Sequence, residues 1–187
     1  MIKLNYKEST MIYLKTPELE DCWYEKKLNE DKDTMSYNAG WDVSYFGYNY
    51  NDGTILFPKE RWKIKYDDRK NNNKYFKYIV YNNEYAGYVN YQKSDDKYTC
   101  GIVIDAKKRG KGIGKEGLRL MLLDFFKKHP EEKLYDDFET TRKDKNIFYS
   151  LGFKKDKEYA AKRFNKDVKI EIVVIDRKHF RTKFKSN

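Results

Sequence analysis

Histidine, cysteine and proline are scarce in this chain. Among its 187 residues there are two histidines, two cysteines and three prolines. His129 and His179 both stand among basic residues, which leaves too few ligands for a zinc site and argues against a Ser-His-Asp relay. Cys22 and Cys100 lie far apart without metal-ligand spacing, so no disulfide framework is expected and a reducing cytoplasm is. Long hydrophobic runs are missing too. Nothing is long enough to span a membrane, and the first residues, MIKLNYKEST, carry no signal-peptide core. What is present is enough for folding: 39% hydrophobic and 17% aromatic residues exclude a disordered chain, and the length suits one domain, 1–187, with one core.

The formal net charge of +10 invites a nucleic-acid reading. Two features discount it. Lysine outnumbers arginine four to one, and Asn, Tyr, Ile and Asp are also abundant, all residues with AT-rich codons. Most lysines alternate with acids, as on an ordinary solvated surface. Nucleic acid is therefore not expected as the main partner.

Patterning along the chain predicts an α/β (α+β) domain. MIYLK (11–15) reads as a short strand. Thr16 then looks like an N-cap with Pro17 in the first turn, and Leu19, Trp23 and Leu28 follow at helical spacing. Residues 35–53, with six aromatics and three glycines, have no period. Pro58 opens a second helix, and Asn71–Asn73 form a loop. YFKYIVY, YAGYVNYQ and KYTCGIVID are strand-like runs separated by Asn82-Asn83-Glu84 and Ser94-Asp95-Asp96, which predicts an antiparallel meander. A glycine turn and a helix follow, buried through Leu118, Met121, Leu122 and Phe125 and stopped by Pro130. Then come the strand KLYDDFE, a short helix NIFYSL closed by Gly152, and the strands KEYAAKRF and VKIEIVVID joined by Asn165-Lys166-Asp167.

The turn KKRGKGIGKEG (107–117) crowds glycines and cations between a strand and a helix. Bare backbone N–H groups at a helix N-terminus, with positive charge beside them, hold an anion, most readily a phosphate. A P-loop is excluded, because Lys115 is followed by Glu116. Gly112-Ile113-Gly114-Lys115-Glu116-Gly117 is a literal G-x-G-x-x-G, and Asp137 falls about twenty residues later, as in dinucleotide folds. Hairpins precede the turn, however, and too little chain follows for a doubly wound fold, so a dinucleotide-binding protein stays an alternative only.

Arg109-Gly110-Lys111-Gly112-Ile113-Gly114 fits R-x-x-G-x-G, and Gly152-Phe153 ends the later short helix. With the strand before and the helix after, this set resembles the GNAT superfamily of acetyl-CoA-dependent N-acetyltransferases. The resemblance covers nearly the whole chain. It implies a mixed, mostly antiparallel sheet, splayed at the cofactor site and flanked by helices. It also implies that 98–129 bind the acyl-CoA: Ile102 and Ile104 through strand backbone, and Arg109, Gly110, Lys111, Gly112, Ile113 and Gly114 around the pyrophosphate, with Lys108 and Lys115 adding charge. Acetyl-CoA is then the co-substrate, with no metal.

The acceptor implied is a primary amine of a small molecule or peptide, attacking the thioester directly. Residues 35–75 are expected to shape its site, with Tyr37 and Trp41 as walls. The family's leaving-group acid, a tyrosine five residues before the Gly-Phe phenylalanine, is Phe148 here; its neighbour Tyr149 is the candidate in its place. Asp136 and Asp137, on opposite faces of one strand, are candidates for the base or for binding the amine. A non-catalytic acyl-CoA-binding module is the other alternative, and a homodimer is left open.

Overall fold

The computed structural model describes residues 11–183. Seven strands make one sheet in the order β1-β2-β3-β4-β5-β7-β6: β1 (Ile12–Lys15), β2 (Tyr75–Tyr81), β3 (Glu84–Ser94), β4 (Lys97–Ile104), β5 (Leu134–Glu139), β6 (Lys154–Arg163) and β7 (Lys166–Ile175). Every neighbouring pair is antiparallel except β4 and β5. The meander β2–β3–β4 follows from its turns. Asn82 and Asn83 both take positive φ, as a two-residue turn between twisted strands requires, and asparagine tolerates it. The β6–β7 connection differs from expectation. Phe164 and Asn165 take the left-handed positions, and Lys166 already belongs to β7.

Six helices flank the sheet: α1 (Cys22–Asn29), α2 (Lys32–Met35), α3 (Trp62–Asn71), α4 (Ile113–Lys128), α5 (Asn146–Leu151) and α6 (Arg177–Lys183). Two of them, α2 and α6, were not expected. None is long and apolar enough to cross a membrane among the described residues. The Thr16–Pro17 start is corrected: Glu18 caps a short 3₁₀ turn, Leu19–Asp21, that leads into α1, and Glu18 and Asp21 satisfy each other's backbone. The face of α1 also differs. Tyr24 and Leu28 are buried, whereas Trp23 points outward.

The main core lies between α4 and one face of the sheet. Leu118, Met121, Leu122 and Phe125 of α4 are fully buried there with Ile79, Val89, Leu134 and Phe148. The helix sits close because Gly117 has no side chain: a Cβ would stand 2.4 Å from Ile79 Cδ1. On the opposite face a smaller cluster joins Tyr24 and Leu28 of α1 to Phe76, Tyr78 and Val103.

β4 and β5 pair only at Tyr98–Leu134 and Thr99–Tyr135. Beyond those pairs the strands separate, and their facing backbone groups border an opening in the sheet. This is the splay that the resemblance implies. After β5 the sheet continues with antiparallel β7 and β6, so no second doubly wound half exists for a dinucleotide.

Candidate active site

The glycine turn follows the end of β4. Buried Asp105 accepts the N–H of Lys107 at 3.0 Å and pairs with Lys27 Nζ at 3.1 Å. Gly110 and Gly112 have φ of 78° and 76°, and a Cβ on either would meet nothing within 4 Å. These two glycines therefore serve backbone conformation and leave open space in front of the turn. Gly114 has a different reason: its Cβ would press on Ile104 Cγ1 at 3.3 Å and reach Ile102 Cδ1 at 3.6 Å. Gly112 is the N-cap of α4, and no side chain caps that end. The first N–H groups of a sixteen-residue helix thus face outward, beside Lys111 and Lys115, neither of which has a hydrogen-bond or ion-pair partner among the described residues. Ile113 is buried in the core, so only its backbone belongs to the turn.

Arg109 and Lys108 are placed otherwise. The Arg109 guanidinium donates to the carbonyls of Ile104 (3.2 Å), Thr34 (2.8 Å) and Asp33 (3.4 Å). Beside it, the Ala106 N–H donates to Thr34 Oγ1 at 3.0 Å. The turn is stitched to α2, two residues upstream of Tyr37. Lys108 donates to Glu84 and to the Tyr85 carbonyl.

The opening between β4 and β5 holds a cavity of about 510 Å³. Gly101–Val103 border it on β4 and Asp136–Glu139 on β5; Tyr37, Asn38 and Trp41 close it from the 35–53 stretch. That stretch is built by its own polar contacts. Tyr48 Oη receives the Trp41 N–H at 3.1 Å and lies 2.9 Å from the Asn38 carbonyl, and Trp41 Nε1 donates to the Tyr37 carbonyl at 3.2 Å. It is also held from the far side of the sheet. Arg163, at the end of β6, donates to Ala39 O (2.8 Å) and Ser36 O (3.0 Å) and pairs with Glu139 (2.8 Å).

Asp136 shares its strand face with Leu134 and Phe138, whereas Asp137 shares the other with Glu139. Both line the cavity. Asp136 receives only the N–H of Asp137, at 2.9 Å, and has no ion-pair partner among the described residues. Burial pushes its carboxyl up to about 8, against the opposing pull of Arg142 and that N–H. Asp137 is exposed and accepts the Tyr159 hydroxyl at 2.9 Å. Arg142 pairs with Asp144 and lies over the rings of Phe138 and Phe148. The Tyr37 ring is half exposed, but its hydroxyl end is desolvated, which moves it up to about 12. Phe148 is fully buried between Phe138 and Phe153. Tyr149 is half-buried against the main core and does not line the cavity. Cys100, beside Asp136, is driven well above the usual thiol range by burial, so it is no nucleophile.

A family model for the acetyltransferase (GNAT) family matches residues 17–153. The chain belongs to the GNAT acetyltransferase family. Solved structures share the fold. A ribosomal-protein-alanine N-acetyltransferase from Brucella melitensis has a TM-score of 0.69 at 12% identity, over 89% of this chain and 99% of that one. yncA, a putative acetyltransferase from Salmonella typhimurium with acetyl-CoA, has 0.68 at 14%, over 88% and 93%. A phosphinothricin acetyltransferase from Sinorhizobium meliloti, in complex with acetyl-CoA, has 0.68 at 11%, over 89% and 88%. No curated protein matches the chain.

Within this GNAT domain, the cavity-wall residues that sequence reasoning missed include Asn38, Tyr88, Asn90, Glu139, Thr141, Arg142, Tyr159 and Arg163. Only Arg163 carried a signal, as a rare arginine at a strand end in a lysine-rich chain. No three His, Cys, Asp or Glu side chains cluster to hold a metal among the described residues.

Proposed function

We propose that this GNAT acetyltransferase moves an acetyl group from acetyl-CoA to a primary amine of a small molecule or peptide, by direct attack while both are bound. The observation that carries the reading is the alignment of an uncapped α4 N-terminus, an open glycine turn and a sheet opening lined by a carboxyl of pKa about 8. An acyl-CoA fits this arrangement. Gly110–Gly114 and the α4 N-terminus would hold the pyrophosphate, with Lys111 and Lys115 beside it. The free edge of β4 at Ile102 and Ile104 would pair with the pantetheine amides.

In the reaction, the chain's residues do the following. Asp136 takes a proton from the acceptor ammonium, which frees its lone pair. The C–N bond forms at the thioester carbon, and a backbone N–H of Ile102–Ile104 receives the developing oxyanion. The C–S bond then breaks, the electron pair leaves on sulfur, and the second amine proton goes to the thiolate. With Phe148 unable to donate, Asp136 or Tyr37, which line the cavity as Tyr149 does not, would carry that proton. Tyr37 and Trp41 wall the acceptor. Asp137, held by Tyr159, contributes negative potential.

A purely acyl-CoA-binding role is favoured by one observation, the buried Phe148 in place of the family's tyrosine. One experiment separates the two. Acetyl-CoA should raise the melting temperature, and a panel of amines should release free thiol from it. A thermal shift without thiol release supports the binder. The absence of any shift at high acetyl-CoA excess removes both readings.

A further inference from the structure

A second cavity, about 680 Å³, lies on the α1–α3 side of the sheet. It lies under α3, none of whose residues is fully buried, although Arg69 of that helix stacks on the Phe76 ring at 3.5 Å. Phe76 forms part of its wall, and Phe46, Leu56 and Ile64 stand around it with 53%, 52% and 61% of their surface exposed. This cavity and the one in the sheet opening share two residues, Tyr88 and Asn90 of β3.

Tyr88 and Asn90 form the wall that the two cavities share. Asn90 pairs across the sheet with Gly101, whose missing side chain leaves a saddle; a Cβ there would meet the Asn90 carboxamide at 3.3 Å. The polar groups at the saddle are unused. Neither the Tyr88 hydroxyl nor the Asn90 carboxamide has a hydrogen-bond partner among the described residues. A carboxamide offers two donors and an acceptor, which match one peptide amide. At the far end the charges are uneven. Arg69 is held by Glu25 at 2.6 Å and Lys74 by Asp68 at 2.9 Å. Lys65 has no ion-pair partner among the described residues, and Arg61 rests only on the Phe46 ring, at 4.1 Å.

We infer that the acceptor is an extended peptide whose amino end lies in the sheet opening and whose following residues cross Gly101 and Asn90 into the second cavity, where an acidic side chain meets Lys65 and Arg61. The inference rests on the acetyltransferase reading and narrows it. Spacing agrees. Neighbouring strands lie about 4.8 Å apart and an extended chain advances about 3.3 Å per residue, so residues two to four of such a peptide pass over Asn90 and reach the Arg69 guanidinium that covers Phe76. A compact amine fills only the first cavity. A purely apolar amine leaves Tyr88, Asn90 and the two cations unmatched.

The test measures acetyl transfer to hexapeptides beginning with Ala, Ser or Met and carrying Phe at position three and Asp at position four. The same amino acids as simple amides are the compact comparison. The peptides should exceed the amides in kcat/KM by about tenfold or more. Replacing the peptide's Asp by Lys should lose most of that advantage, as should Lys65→Glu and Ile64→Asp, both at exposed positions where folding is not at risk. Equal kcat/KM for peptides and amides overturns the inference and leaves acetyl transfer standing. So does a peptide advantage that survives both variants. Acetyl-CoA binding with no turnover of any amine removes the transferase reading and this inference with it.

Discussion

Asp136 carries the clearest conflict in the molecule. Strand alternation puts this carboxyl on the side of Leu134 and Phe138, where it is desolvated and has no cation bonded to it. The folded protein therefore keeps its proton from the ordinary value of 3.8 up to about 8, while the unfolded chain gives it up. The sign follows: native stability is undiminished below the lower value, falls as pH rises between the two, and carries the full penalty above about 8. Asp136→Asn should thus leave the melting temperature unchanged near pH 4. At pH 9 it should raise it, by about 2–4 °C for each kcal/mol of penalty removed. The same group sets a rate expectation. Activity should climb with pH through about 8 in the natural protein. The Asn variant should lose that limb and fall by about 10²–10⁴-fold. A pH–rate profile and thermal melts at the two pH values decide it. If the limb persists in Asp136→Asn, another group is the base. Asp137→Asn, which removes the charge but keeps an oxygen to accept the Tyr159 hydroxyl, should cost much less.

Among the elements, β4, the glycine turn and α4 were the most legible, because each end is marked by a residue with one physical use. Gly112 takes a left-handed φ at the start of α4 and Pro130 forbids its continuation, and the hairpin turns announce themselves through asparagine and aspartate. The face of α1 was not legible, since Trp23 and Tyr24 are adjacent aromatics and only the packing of Tyr24 on Tyr78 decides which is inside. Arg109 was legible as part of a motif but not in its destination. Its acceptors are carbonyls 75 and 76 residues upstream, and backbone carbonyls leave no trace in side-chain patterns. From those contacts we expect Arg109 to position α2, and through it Tyr37, against the glycine turn. Arg109→Ala should then raise the acceptor's KM several-fold, with a smaller change in the KM for acetyl-CoA. Arg109→Lys should not restore it, because one ammonium cannot replace a fork spread over three carbonyls. If acetyl-CoA affinity falls most instead, Arg109 serves the cofactor directly, as the motif alone implies.

The whole molecule is a sheet nearly cut in two. β1–β4 and β5–β7 share only the two register pairs at Tyr98 and Thr99, and otherwise they meet through the core under α4 and through contacts across the cavity mouth. Arg163 is the centre of those contacts. It ties β6 to Glu139 on β5 and to the carbonyls of Ser36 and Ala39, while the Phe164 N–H donates to Gly40 O at 2.7 Å and the Phe164 ring occupies the space a Gly40 side chain would need. The cavity wall of Tyr37, Asn38 and Trp41 thus belongs to one half of the sheet and is fastened to the other. Arg163→Ala removes three charge-assisted bonds from a half-buried site and leaves Glu139 with only the Thr141 hydroxyl, which should cost about 1–3 kcal/mol. At about 2–4 °C per kcal/mol, that is a visible drop in melting temperature. Stability alone does not distinguish a clamp from ordinary packing, but local exchange does. With the clamp released, amide protection should fall in β6 and at Phe138–Glu139, and it should stay unchanged in β2 and β3, which α4 covers. On the proposed function, acetyl-CoA would sit between the halves and stabilise only the joined form, by about 2.7 kcal/mol at a hundredfold excess over Kd. A loosened opening binds it less tightly, so at one fixed concentration the thermal shift should be smaller in Arg163→Ala than in the natural protein. A uniform loss of protection across all seven strands, with the same acetyl-CoA shift in both proteins, would mean that Arg163 only packs and that α4 alone holds the two halves at their working distance.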